Sequence, residues 1–170
     1  MAEHLWPLLQ LETDSVEELK EGYRKVFIET YVRTAEGKPI EIHDWNGVRI
    51  HFNPRNFEHA FSESTDYRFG LGEHDIPLSI KRASRLLWIK EVLAASRGTI
   101  ERWNQMRKDS RNRMKKRRVL LVVEERYLVV LEETAKTGQL EFVSAFPASS
   151  EYLEKIKKES VLIEIKKPQS

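Results

Sequence analysis

Three apolar segments in the second half of the chain limit its fold more than any other feature. Residues 119–123 (VLLVV) form a continuous run of strand length, 127–131 (YLVVL) form a second, and 140–146 (LEFVSAF) alternate beyond Gly138. Runs this short, separated by turn residues, predict an antiparallel meander at the centre of a sheet. Upstream, 40–43 and 48–52 flank Asp44-Trp45-Asn46-Gly47. Asn-Gly between β-branched runs predicts a hairpin, because both residues tolerate positive φ. A two- or four-residue turn there would put Ile42 on one face with Arg49 and His51, and His43 on the other.

The helices are read from caps and periodicity. Ser15 and Glu18 have capping-box spacing, predicting a short helix over 15–21 that stops at Gly22; alternation over 23–33 predicts a strand after it. Residues 56–62 have helical spacing and carry His59. Asp75 and Pro77 open a long helix over 78–96, stopped by Gly98, with Lys81, Arg85 and Trp88 as a stripe apart from its apolar side. Residues 152–158 predict an amphipathic helix and 161–165 an edge strand. The expected class is α+β, an antiparallel sheet (hairpin plus three-stranded meander) with helices packed on one face. At 170 residues the chain is expected to be one domain over 1–170, with a core over 15–166, a basic insertion at 97–118 and a polar tail at 167–170.

The net charge of +2 conceals a strong partition. Residues 1–77 carry 8 Lys/Arg against 15 Asp/Glu, 78–118 carry 14 against 3, and 119–170 carry 7 against 9, or net −7, +11 and −2. A local excess of this size attracts phosphate polymers through counterion release, so nucleic acid is the first partner to consider. A solvated basic helix or loop would give the same run. With no cysteine, disulfides, thiolate zinc sites and cysteine nucleophiles are excluded. Residues 1–10 lack the cations of a signal peptide, and no apolar run reaches the roughly 18 residues of a membrane span, so a cytoplasmic protein is expected. No P-loop, dinucleotide fingerprint, HExxH, EF-hand or GxSxG motif is present, and no cofactor is expected.

The equal spacing of His43, His51 and His59 invites a metal reading, but strand geometry and the lack of nearby carboxylates argue against it. Proton transfer suits these imidazoles better. RNA carries its own 2′-OH nucleophile, so cleavage by transesterification needs a base, an acid and cations to stabilise the phosphorane, without metal or cofactor. The chain offers His51 and His59 as acid/base candidates and Arg49, Lys81, Arg82 and Arg85 as cations. Trp88 and Tyr67 are candidate stacking platforms, and Ser144 is a candidate hydroxyl donor. Each also has a plain structural role: surface histidines, a core Trp88, and a buried Ser144 on one strand face between Phe142 and Phe146.

The segments 48–52 (VRIHF), the His51 and His59 pair, the basic helix from Lys81, and the 127–131 and 140–146 strands resemble the phage-borne branch of the barnase, EndoU, colicin and RelE group, which are small metal-independent ribonucleases. The resemblance covers about residues 48–147. It implies a barnase-like fold with a cleft lined by Ser144 and by basic or histidine groups of the first helix region. His59 or His51 would act as acid/base, and Arg82 or Arg85 would bind the phosphate. No glutamate stands clearly at the position of the barnase-type base. The segment 97–118 looks like an insertion beyond the group's common core: an RNA-gripping arm with Arg111, Arg113, Lys115, Lys116, Arg117 and Arg118 on phosphates, the surface for an inhibitor or immunity protein, or neither. RNA, with tRNA among the candidate targets, is the expected partner of such a toxin-like enzyme. A non-catalytic nucleic-acid-binding module and a protein-interaction domain are the alternatives; the sequence leaves the oligomeric state open.

Overall fold

The computed structural model describes residues 3–62, 78–108, 111–135 and 138–168. The predicted meander forms: β4 (Met114–Val122), β5 (Tyr127–Glu133) and β6 (Gln139–Pro147) pair antiparallel in succession. The sheet then extends past it on both sides. β3 (Ile100–Lys108) pairs with β4 along its full length, and β7 (Ser160–Lys166) pairs with β3 at the edge. On the other side β2 (Arg49–His51) runs parallel to β6, and β1 (Ile42–His43) pairs antiparallel with β2. Among the described residues the order is β1-β2-β6-β5-β4-β3-β7, a seven-stranded mixed sheet. The expected purely antiparallel sheet is thus corrected. Most of 97–118, read as a basic insertion, forms β3 and the start of β4. Its polar sequence hides the strands because partly or fully buried positions here carry Arg102, Gln105 and Arg118, which are satisfied by ion pairs and hydrogen bonds, in place of alternating apolar residues.

Two helical expectations also change. The expected strand over 23–33 is part of α1 (Val16–Tyr31), capped by Ser15, whose Oγ accepts from Glu18 N at 3.1 Å. Tyr23, Phe27 and Tyr31 recur every four residues and are all buried, so one helical stripe overrides the local alternation. Gly22 does not stop the helix; it admits Leu11, whose Cδ1 would lie 3.1 Å from an added Cβ. The expected 78–96 helix is divided into α3 (Ile80–Ala83) and α4 (Trp88–Leu93). The Tyr31 hydroxyl is inserted at this break, accepting from Lys90 N and donating to Leu86 O, a pair that a continuous helix would bond directly. Its phenol is held well above the usual range by burial.

α1, α2 (Asn56–Phe61), α3 and α4 supply the main core, together with the adjoining sheet face. Phe27 is its centre, in ring contact with Tyr31, Phe52, Phe57, Phe61 and Phe142 at 5.6–6.1 Å. A smaller cluster on the opposite face joins Val119, Leu121 and Leu128 to Ile156 of α5 (Ser150–Lys158). Helices therefore occupy both faces, correcting the one-face expectation: the central strands are apolar on both sides and need two covers. Among the described residues no helix is long and apolar enough to cross a membrane.

Phe27→Ala is expected to cost about 3–5 kcal/mol in chemical denaturation, with Phe27→Leu costing clearly less, because the truncation opens a cavity at the centre of the ring cluster.

Candidate functional site

The second sheet face is only partly covered by α5, and the uncovered part is an open cleft of about 880 Å³. A β-bulge shapes its floor. Val130 pairs with Ser144 but Leu131 pairs with Phe142, leaving Val143 as an extra residue in β6. The bulge turns Phe142 into the main core while Ser144 lines the cleft beside Val130, so Phe142 and Ser144 do not share a face as the alternation predicted. The bulge also leaves carbonyls needing partners. Asn56 supplies one, its Nδ2 donating to Phe142 O at 3.0 Å and Val143 O at 2.7 Å. Because Asn56 is the first residue of α2, this clamp fixes the helix against β6. His59, one turn later, is delivered to the cleft.

Arg82 of α3 stands on the same side as His59, its guanidinium carbon 4.6 Å from the Phe146 ring centroid. Gln105, Lys108 and Arg117 come from the β3–β4 arm, and Tyr152, Lys155 and Glu159 from α5 and its C-cap. Gln105 Nε2 donates to Glu159 Oε2 at 3.3 Å, joining the arm to the helix. Arg82, Lys108, Arg117 and Lys155 face the single lining carboxylate of Glu159, so the described cleft is cationic. His59 feels this environment. Burial first, then the charges of Arg82 and Arg117, lower its pKa from the ordinary histidine value.

Of the residues singled out in the sequence, the cleft brings together His59, Arg82, Arg117 and Ser144. The others are placed elsewhere. His51 is exposed on β2 opposite Glu141, and Arg49 lies opposite Gln139, both outside the cleft lining. The hairpin register pairs Ile42 with Ile50 and His43 with Arg49, so His43 rather than Ile42 shares a face with Arg49 and His51. The physical reason is an odd turn: Asp44 N donates to Val48 O, enclosing three residues, with Gly47 at φ +81°.

Arg85 is not a cleft residue. Its Nη1 donates to Lys81 O at 2.7 Å, and its guanidinium lies 5.1 Å from the Trp88 ring centroid; Lys81 is exposed on α3 outside the lining. Trp88 is 1% exposed and its Nε1 donates to Pro7 O at 3.0 Å, so the stacking role expected of it is overturned by core burial. Tyr67 lies outside the described residues.

Strand alternation divides the basic arm. Lys115 approaches Glu132 (3.9 Å) on the side of Arg117, whereas Lys116 approaches Glu133 (4.0 Å) on the side of Arg118. The Nε of Arg118 donates to Asn104 Oδ1 at 3.4 Å, away from the cleft. Arg111 and Arg113 are exposed between β3 and β4. Among the described residues, no three His, Asp or Glu side chains gather in a metal-holding group.

Sequence reading missed Gln105, Lys108, Tyr152, Lys155 and Glu159. A signal existed for the last three, whose three- and four-residue spacing marks one helical face, but it does not say what that face covers. Comparison with family models, curated proteins and solved structures gives no match to this chain.

An NMR titration should find the His59 pKa below about 6.5, with Arg82→Gln raising it and Arg118→Gln, on the opposite face, leaving it in place. Because the native pKa is the depressed one, acid favours the unfolded chain. The His59 contribution to stability should be lost as pH falls through the unfolded-state pKa and be flat above it.

Proposed function

We propose that the cleft binds RNA and cleaves it by metal-independent transesterification. The observation that carries this reading is the convergence of His59, Arg82, Arg117 and Ser144 from four separate elements on one open, cationic cleft. A histidine with a depressed pKa is neutral at pH 7 and can accept the 2′-OH proton. The 2′ oxygen bonds to phosphorus as the phosphorus–O5′ bond breaks, giving a 2′,3′-cyclic phosphate. The leaving 5′ oxygen is protonated from solvent, which the open cleft admits. Arg82 and Arg117 stabilise the charge that develops on the phosphorane oxygens, and the Ser144 hydroxyl donates to one of them.

The resemblance to the phage-borne barnase, EndoU, colicin and RelE group supports the same chemistry and extends the proposal to a toxin-like enzyme acting on cytoplasmic RNA, with an inhibitor or immunity protein as its second partner. Binding without cleavage is a competing reading, favoured by the basic side chains along the arm outside the cleft.

RNA incubated with the protein and excess EDTA should be cleaved to cyclic-phosphate ends, with His59→Ala slowing cleavage roughly 10²- to 10⁴-fold. His51→Ala should cleave at the wild-type rate. Intact RNA across about pH 5 to 8, or a fully active His59→Ala variant, would remove the catalytic assignment.

A further inference from the structure

Among the described residues lining the cleft, Tyr152 is an exposed large aromatic. It projects from the first turn of α5, 37% exposed, while Phe146 lies on the strand beneath it. The two rings meet edge-on, with centroids 5.7 Å apart and planes at 69°. In that geometry Phe146 covers at most one face of the tyrosine ring. The guanidinium of Arg82 stacks over Phe146 at 4.6 Å, and Arg82 borders His59. Arg82, Phe146 and Tyr152 thus form a ladder in the cleft lining, a cation at one end and a partly exposed ring at the other. Two successive ring contacts link a cation able to meet a phosphate to a ring able to meet a base.

Resting on the reading of the cleft as an RNA site, we propose that Tyr152 is a nucleobase platform. It stacks the base of a nucleotide adjoining the phosphate held at Arg82 and so makes the substrate unpaired RNA. Stacking on a side chain inside a cleft requires a base turned out of any duplex, and it tolerates every base because each has a π face. Phe146 does not take this role: Arg82 is stacked on its ring, and Tyr152 packs against it. The phenol hydroxyl is not needed for stacking, so the ring alone should suffice.

The test separates binding from cleavage with a short labelled 2′-deoxy oligonucleotide, which lacks the nucleophile, and a set of the same strand with one abasic site at each position in turn. Anisotropy titrations should show Tyr152→Ala and Tyr152→Leu weakening the intact strand roughly 5- to 150-fold, with Tyr152→Phe binding like wild type. The leucine variant keeps an apolar contact with Phe146, so a loss shared by Ala and Leu but not Phe reports the ring rather than the fold. At one abasic position the wild-type protein should lose the same factor, and the two changes together should cost no more than either alone. Wild-type affinity in Tyr152→Ala, or an equal further loss on every abasic strand, overturns the platform. The corresponding RNA in EDTA reports on the underlying reading. Base-dependent binding without cleavage removes the catalysis and leaves the platform. Cleavage indifferent to Tyr152 and to abasic sites removes the platform and leaves the catalysis.

Discussion

The double hydrogen bond from the Asn56 amide to the carbonyls of Phe142 and Val143 pins the start of α2 to the bulge in β6. The bulge it secures lets one strand serve two masters. Before it, Phe142 points into the aromatic core around Phe27; after it, Ser144 and Phe146 face the opposite side. Without the extra residue, strict alternation would put Phe142 and Ser144 on the same face, either exposing a phenylalanine or burying the serine in a ring cluster. The same contact seats the start of α2, so the position of His59 relative to Ser144 depends on a backbone irregularity rather than on either side chain.

A sheet apolar on both faces at its centre requires cover on both, and the two covers differ in extent. The layer α1–α4 closes one face with a large aromatic core. α5 is nine residues long and closes only part of the other. What it leaves open is a hydrophobic floor of Val119, Leu128 and Val130 ringed by cations from α3, β3, β4 and α5. On the proposed RNA reading, these cations would seat phosphates while the floor and Tyr152 meet bases. The neighbouring cations also disfavour a proton on His59, which keeps the imidazole neutral where an acceptor is useful.

The β3–β4 arm illustrates how a charge total can mislead. Read along the chain, the six cations of 111–118 form one block. Read in the sheet, pairing of β4 with β5 divides its strand residues between faces: Lys115 and Arg117 on the cleft side, Lys116 and Arg118 on the other. On that other side Arg118 is partly buried, and desolvation with the nearby Arg102 charge lowers its pKa. A block of like charge is therefore not one interface once its residues alternate across a strand.

By itself, the sequence determined those elements whose signal is local. The meander, the Asn46-Gly47 hairpin, α2, α5 and the edge position of β7 follow from apolar runs, turn chemistry and helical spacing, all within a few residues of one another. His59, Arg82, Arg117 and Ser144 were also legible as chemically apt groups. Tertiary structure decided the rest. The helical state of 23–31 was set by burial of Tyr23, Phe27 and Tyr31 in the main core, and the break between α3 and α4 by a hydroxyl from α1. The Asp44–Val48 turn, one residue off the expected length, chose the outward face for His43. The Val143 bulge decided which phenylalanine faces Ser144, and core packing withdrew Trp88 from any ligand. Such outcomes depend on contacts between residues far apart in the chain, so the local pattern identifies the groups available to the cleft while long-range packing selects those that reach it.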